Sequence, residues 1–253
     1  MSAIKLHDIS TRAAKDRDKK ETKEKTAEML EKLNGLQNLL YAEGKNSLLI
    51  ILQGMDASGK DGAIRNVFGA LNPQGVHVKT FKAPTDEELS HDFLWRIHPH
   101  APSKGMMQIF NRSQYEDILI TRVHGWCDDA LAKKRMKAIN DWENLISTHN
   151  NTSVLKFYLH ISYKEQRERL AQRMVNPSKM WKYNPDDENE SQYWDSYMKV
   201  YEDCFENCND LQWTIVPSDQ NWYKEYIIAR KVLETLSSLN MKYPEIKEKT
   251  KRK

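Results

Sequence analysis

The residues best placed for chemistry are Gly54-Met55-Asp56-Ala57-Ser58-Gly59-Lys60-Asp61-Gly62. Their spacing fits G-x-x-x-x-G-K, a loop that cradles phosphate. Glycines allow unusual backbone angles and a close approach of ligand. Successive N–H groups and the positive end of the following helix then face an anion. Gly54, Met55, Ala57, Ser58 and Gly59 supply that backbone, and Lys60 adds a point charge. The residue after the lysine is ordinarily Ser or Thr, which holds Mg2+. Here it is Asp61, and Asp56 adds a second acid. Two carboxylates beside a polyanion repel it unless a cation lies between them. The pattern implies carboxylate-held Mg2+ or one acid acting as a base.

A second polar group follows an apolar stretch: Asn111-Arg112-Ser113-Gln114-Tyr115-Glu116-Asp117. A strand ending there would present Asn111, with Asp117 six residues on, where such folds keep a metal-binding acid. Ser113 and Glu116 also fit a helix-capping box, and Arg112 and Glu116 a helical ion pair. Further along, Arg167, Arg169 and Arg173 lead into Trp181-Lys182-Tyr183-Asn184-Pro185-Asp186-Asp187, which reads as a lid that closes over a transferring group. Lys82, Arg122 and Asp187 complete the candidate phosphate- and nucleotide-binding set. Lys82, Arg65 and the run Lys133 to Lys137 are candidates for tracking a longer polyanion.

These groups need elements to hold them. Leu48 to Gln53 is a continuous apolar run ending in a polar residue, as a central parallel strand requires. Ile64, Val67, Phe68 and Leu71 continue the loop as an amphipathic helix. Strands are expected at Val76–Phe81, Met106–Phe110, Ser153–Ile161 and Gln212–Val216. Helices are expected from Thr85 through Leu89, Phe93 and Ile97, at Asp128–His149, from Ser162, at Tyr193–Cys208, and after Trp222. The whole is an α/β, three-layer fold with a parallel sheet. Residues 1–45 read as a charge-mixed, partly disordered arm followed by a helix bearing Met29, Leu33, Leu36 and Leu40. The catalytic domain spans 46–240 with its lid at about 163–192, and a basic tail covers 241–253.

Composition narrows the class. Charged residues make up 30% of the 253, and the net charge is only +3. Mean hydropathy is −0.79. This does not suggest a generic nucleic-acid binder, and no apolar run approaches the roughly 20 residues of a membrane span. Three cysteines form no disulfide framework, and no signal peptide opens the chain, so a reducing cytoplasm is expected. His98 and His100 read as loop residues, and Cys204 and Cys208 as packed thiols.

With these motifs assembled, the chain resembles the polyphosphate kinase 2 family from about Leu48 to Leu239. The resemblance rests on the glycine loop, Asn72-Pro73-Gln74-Gly75, Asp92-Phe93-Leu94-Trp95-Arg96, Phe110-Asn111-Arg112-Ser113 with Tyr115-Glu116, Trp181 to Asp187, and Trp194-Asp195 with Tyr197. It implies a thymidylate-kinase-like P-loop fold and phosphate transfer between inorganic polyphosphate and nucleotides, with Mg2+, by a homodimer or homotetramer. It also implies that Asp56 and an acid or amide near Asn111-Arg112-Ser113 serve the metal and the phosphate acceptor, while the residues' own chemistry adds Asp61 and Asp117 as candidate metal ligands beside Asp56. Lys60 and Arg112 would hold phosphate, and Arg169, Arg173, Lys182 and Asp187 would lie in the lid. Glu116 and the Asn-Pro-Gln-Gly turn resemble the subgroup accepting both AMP and ADP, to give ADP and ATP; guanine nucleotides are further candidate acceptors. The rival enzyme is an ATP-dependent nucleoside monophosphate kinase. The non-enzyme rival is a P-loop switch, against which stands the absence of a guanine-reading N-K-x-D sequence.

Overall fold

The computed structural model describes residues 4–245. In chain order the elements are α1 (Lys19–Glu43), β1 (Ser47–Gln53), α2 (Lys60–Ala63), β2 (Val76–Thr80), α3 (Asp86–Leu89), β3 (Met107–Asn111), α4 (Ile120–Val123), α5 (Asp129–Asn150), β4 (Thr152–His160), α6 (Tyr163–Val175), α7 (Asp186–Ser191), α8 (Trp194–Asn207), β5 (Trp213–Pro217) and α9 (Asn221–Ser238). Five parallel strands form one sheet in the order β2-β3-β1-β4-β5. This is the expected three-layer α/β arrangement, and the strands lie within about a residue of their expected bounds.

β1 is central and wholly buried, which explains its lack of polar alternation. Its side chains divide between two cores. Leu49 and Ile51 join Trp142, Tyr158 and Phe205 under α5 and α8. Leu48, Ile50 and Leu52 join Leu33, Val67, Ile228 and Val232 under α1 and α9. The polar ends of β1 and β3 meet in register, Leu52 beside Asn111. That junction is the crevice at the carboxyl ends of the strands where α/β sheets hold ligands.

Three sequence expectations are corrected. The N-terminal arm is not loose: Leu6 is buried in the α5/α8 core, its N–H donates to Glu202, and His160 Nε2 contacts its carbonyl. Ile4, Leu6 and Ile9 are too few and too irregularly spaced among polar residues to give a periodic signal, so the sequence hid it. α1 also begins at Lys19, where Asp18 caps it by accepting from Glu21 N–H. The helix begun by the Thr85/Glu88 capping box ends at Leu89 and does not continue to Ile97. Ser90 Oγ donates to the Glu87 carbonyl and Asp92 accepts from Leu94 N–H, so the chain turns there. The segment after α2 widens to π-helical turns over Ile64–Phe68, a geometry that often marks functional sites. Most of the basic tail, 246–253, lies outside the described residues.

Candidate active site

The glycine loop joins β1 to α2. Gly54 has φ +149° and Gly59 φ +96°, angles that favour glycine. A Cβ on Gly54 would lie 2.8 Å from the Leu159 carbonyl, so β4 also demands a glycine there. Lys60 is buried and folds back on the loop, donating to the carbonyls of Gly54 (2.6 Å) and Met55 (3.2 Å). Burial first, and then Arg112, lower its pKa to about 8.

Arg112 reaches the loop from the end of β3. It has φ +63°, an uncommon setting for a non-glycine residue and one that clusters at functional sites. Its guanidinium donates to Asp56 (2.6 Å) and Glu116 (3.4 Å). Asn111, one residue earlier, donates to Asp61 (2.9 Å). The last residue of β3 and the one after it therefore hold the two loop carboxylates. Burial opposes ionisation of Asp56, but Arg112, Lys60 and Arg173 together keep its pKa below the usual carboxylate value. Burial likewise opposes ionisation of Asp61, and hydrogen bonds from Lys182 and Asn111 outweigh it.

The lid reaches the same place. Lys182 pairs with Asp61, and Arg173 pairs with Asp187 (2.5 Å). Arg112, Lys182 and Arg173 are thus each matched by an acid of the site. These acids occupy positions on the cations that phosphate oxygens would compete for.

The β3 loop is anchored from beneath. Gln53 Nε2 donates to Ser113 Oγ (3.0 Å), and Gln114 and Tyr115 both donate to Glu143 (3.0 and 2.7 Å). Glu143 in turn pairs with Lys156 (2.8 Å), and both side chains are 0% exposed. Ser113 does not form the expected capping box with Glu116: its hydroxyl accepts from Tyr115 N–H, and Glu116 turns to Arg112. Gln53, Gln114, Glu143, Lys156 and Lys224 were missed from sequence because buried polar residues on separate elements have no local pattern.

Several assigned residues stand elsewhere. Asp117 is turned to Arg96 (3.5 Å), its carbonyl accepts from Arg135, and burial raises its pKa. It does not join Asp56 and Asp61, and no group of three or more His, Cys, Asp or Glu side chains converges on a metal position among the described residues. Arg122 is bound to Asp203 (2.5 Å) and Asp129 (2.7 Å), an ion-pair triad between α4, α5 and α8. Arg169 spends its donors on Glu165 and on the carbonyls of Ala57, Ser58, Ser218 and Asp219, so it tethers α6 to the loop. Lys82 is exposed at the end of β2. In the basic run, Arg135 is turned inward and Lys137 pairs with Asp141. His98 accepts from Trp142 Nε1, as a packed loop residue does.

A central parallel strand, a P-loop and an arginine-rich lid are now joined to the β3 polar loop in one crevice. The family model described as polyphosphate kinase 2 matches residues 15–244. The chain belongs to the polyphosphate kinase 2 family. Among its relatives, the AMP/ADP-polyphosphate phosphotransferase of Meiothermus ruber is 41% identical over 244 residues, covering 96% of this chain and 91% of that protein. The ADP-polyphosphate phosphotransferase of Rhodopseudomonas palustris is 42% identical over 246 residues, covering 89% and 84%. The crystal structure of polyphosphate kinase 2 from Arthrobacter aurescens TC1 matches with a TM-score of 0.94 at 41% identity, covering 99% of this chain and 91% of that one.

Asp56 and Asp61 fit the modest protein share of a Mg2+ site. Mg2+ commonly keeps several waters and takes one or two carboxylates plus substrate phosphates. Asp117, held by Arg96, does not extend that pair.

Proposed function

We propose that this chain is a polyphosphate-dependent nucleotide kinase, moving a terminal phosphoryl group between inorganic polyphosphate and AMP or ADP. The observation that carries this is the convergence of Lys60, Arg112 and Lys182 on the P-loop and its two acids, with the Arg173 charge acting on Asp56 from the lid, in a member of the polyphosphate kinase 2 family.

Phosphoryl transfer depends on alignment and charge neutralisation more than on covalent work by the protein. The terminal polyphosphate group lies against the N–H groups of the P-loop. Lys60 and Arg112 leave their resting partners to hold its oxygens. Lys182 and Arg173 bring the lid's charge to the same group and exclude water. Asp56 and Asp61, freed from Arg112 and Lys182, would hold Mg2+, which would supply charge neutralisation at the phosphates. The acceptor is a phosphate already ionised at neutral pH, so no base is needed and Asp56 acts as a carboxylate. In this reading Glu116 orients Arg112, and Asp117 orients Arg96.

The relatives differ in acceptor, one named for AMP and ADP and another for ADP. We assign the wider range to this chain, on Glu116 and the Asn72 to Gly75 turn. The test supplies polyphosphate and Mg2+ with AMP or ADP in separate tubes. ADP and then ATP from AMP, and ATP from ADP, is the expected result. ATP from ADP alone would overturn the wider range. A homodimer or homotetramer in the cytoplasm belongs to the same proposal, and sedimentation tests the assembly.

A further inference from the structure

Lys224 is a buried cation that the sequence motifs do not mark. It projects from the first turn of α9, is 0% exposed, and donates to the Gly59 carbonyl (3.1 Å) and Asn221 Oδ1 (2.9 Å). Among the described residues no carboxylate lies within ion-pair distance of it. The charged groups facing it are the cations Arg169 and Lys60, and Glu225 on its own helix. Glu225 itself accepts from Asn66. Burial first, and then Arg169, lower the Lys224 pKa to about 8. A buried charge without a counter-charge is costly, so its presence here asks for a reason.

The reason lies in the peptide groups it touches. Arg169 takes the carbonyls of Ala57 (3.0 Å) and Ser58 (3.3 Å), and Lys224 takes that of Gly59. In a planar trans peptide the next residue's N–H points opposite to the carbonyl. Ser58 N–H closes a turn on Met55, and the Gly59 carbonyl also accepts from Ala63 N–H at the start of α2, so by peptide geometry the N–H groups of Gly59 and Lys60 point away from Arg169 and Lys224. Gly59 records the closeness: a Cβ there would lie 2.2 Å from Lys224 Nζ.

We propose that Lys224, with Arg169, is a positioning residue of the phosphate site: it fixes the P-loop peptides with their N–H groups toward the ligand, and its unpaired charge is balanced by the bound polyphosphate terminus. This rests on the reading that polyphosphate, not nucleotide, occupies the P-loop.

The test uses the full chain carrying Lys224→Met, which keeps the volume and removes the charge. Thermal midpoints are measured with and without long-chain polyphosphate, and KM is measured for polyphosphate and ADP separately. The free variant should melt at or above the wild-type midpoint, because a desolvated charge has gone. Its KM for polyphosphate should rise about tenfold, with KM for ADP unchanged. A rise for ADP alone would overturn polyphosphate in the P-loop. No rise for either substrate would overturn the role of Lys224. Should Lys224→Met not fold, Lys224→Gln, which removes the charge but retains an N–H for the Gly59 carbonyl, tests the charge balance alone, and an unchanged KM for polyphosphate would overturn it.

Discussion

In the proposed mechanism Lys60, Arg112 and Asp56 carry the chemistry at the smallest scale, and all three were legible in sequence because the motif around each is local. What sequence could not give was their resting partners. Lys60 lies on two loop carbonyls and Arg112 on two carboxylates, so in the proposed mechanism each would exchange partners on binding phosphate. Lys60→Ala or Asp56→Asn should lower kcat by roughly 10²–10³-fold, the usual cost of losing one preorganised group. Steady-state rates with the folded variants check this, and unchanged turnover would refute the assignment. Arg122 and Asp117 stand apart from the loop acids, held by Asp203, Asp129 and Arg96, because residue type reveals a charge but not the neighbour that claims it. Lys224 supplies a pH test. Its folded pKa, about 8, lies below the ordinary lysine value of 10.5, so the unfolded chain binds the extra proton between them. Stability therefore rises with pH across that window, and the destabilisation is fully present below about pH 8. The wild-type thermal midpoint, measured relative to Lys224→Met, should climb from pH 7.5 to pH 10; a constant difference would contradict a desolvated lysine.

At the scale of elements, β1, the P-loop and α2 were legible because a buried strand, glycines and a helical stripe follow one another directly. α3 was overextended because Phe93 and Ile97 keep helical spacing while Ser90 and Asp92 turn the backbone. The β3 loop depends on α5 and β4, through Glu143 and Lys156, which no local pattern reveals. A buried pair broken from one side is far worse than a pair removed whole. Glu143→Leu should therefore cost about 3–5 kcal/mol by leaving Lys156 charged and alone. Adding Lys156→Met should recover part of that loss, as read from denaturant midpoints. A double variant no more stable than the single one would show that the charge pairing is not the source.

Across the whole molecule the fold class was legible from the alternation of strands and helices, but the N-terminal arm's attachment through Leu6 was not. The charge balance also operates at this scale. A net +3 gives no strong general attraction for a polyanion, so recognition depends on cations gathered at the crevice. Salt screens exposed charges over about 10 Å at 0.1 M. KM for long polyphosphate should accordingly rise with ionic strength more steeply than KM for ADP, and parallel slopes would argue against recognition by the crevice cations. The central claim concerns the donor. The purified chain with Mg2+ and AMP should receive either polyphosphate or ATP as sole donor, with nucleotides separated by chromatography. Polyphosphate should yield ADP and then ATP, whereas product from ATP and none from polyphosphate would contradict the account.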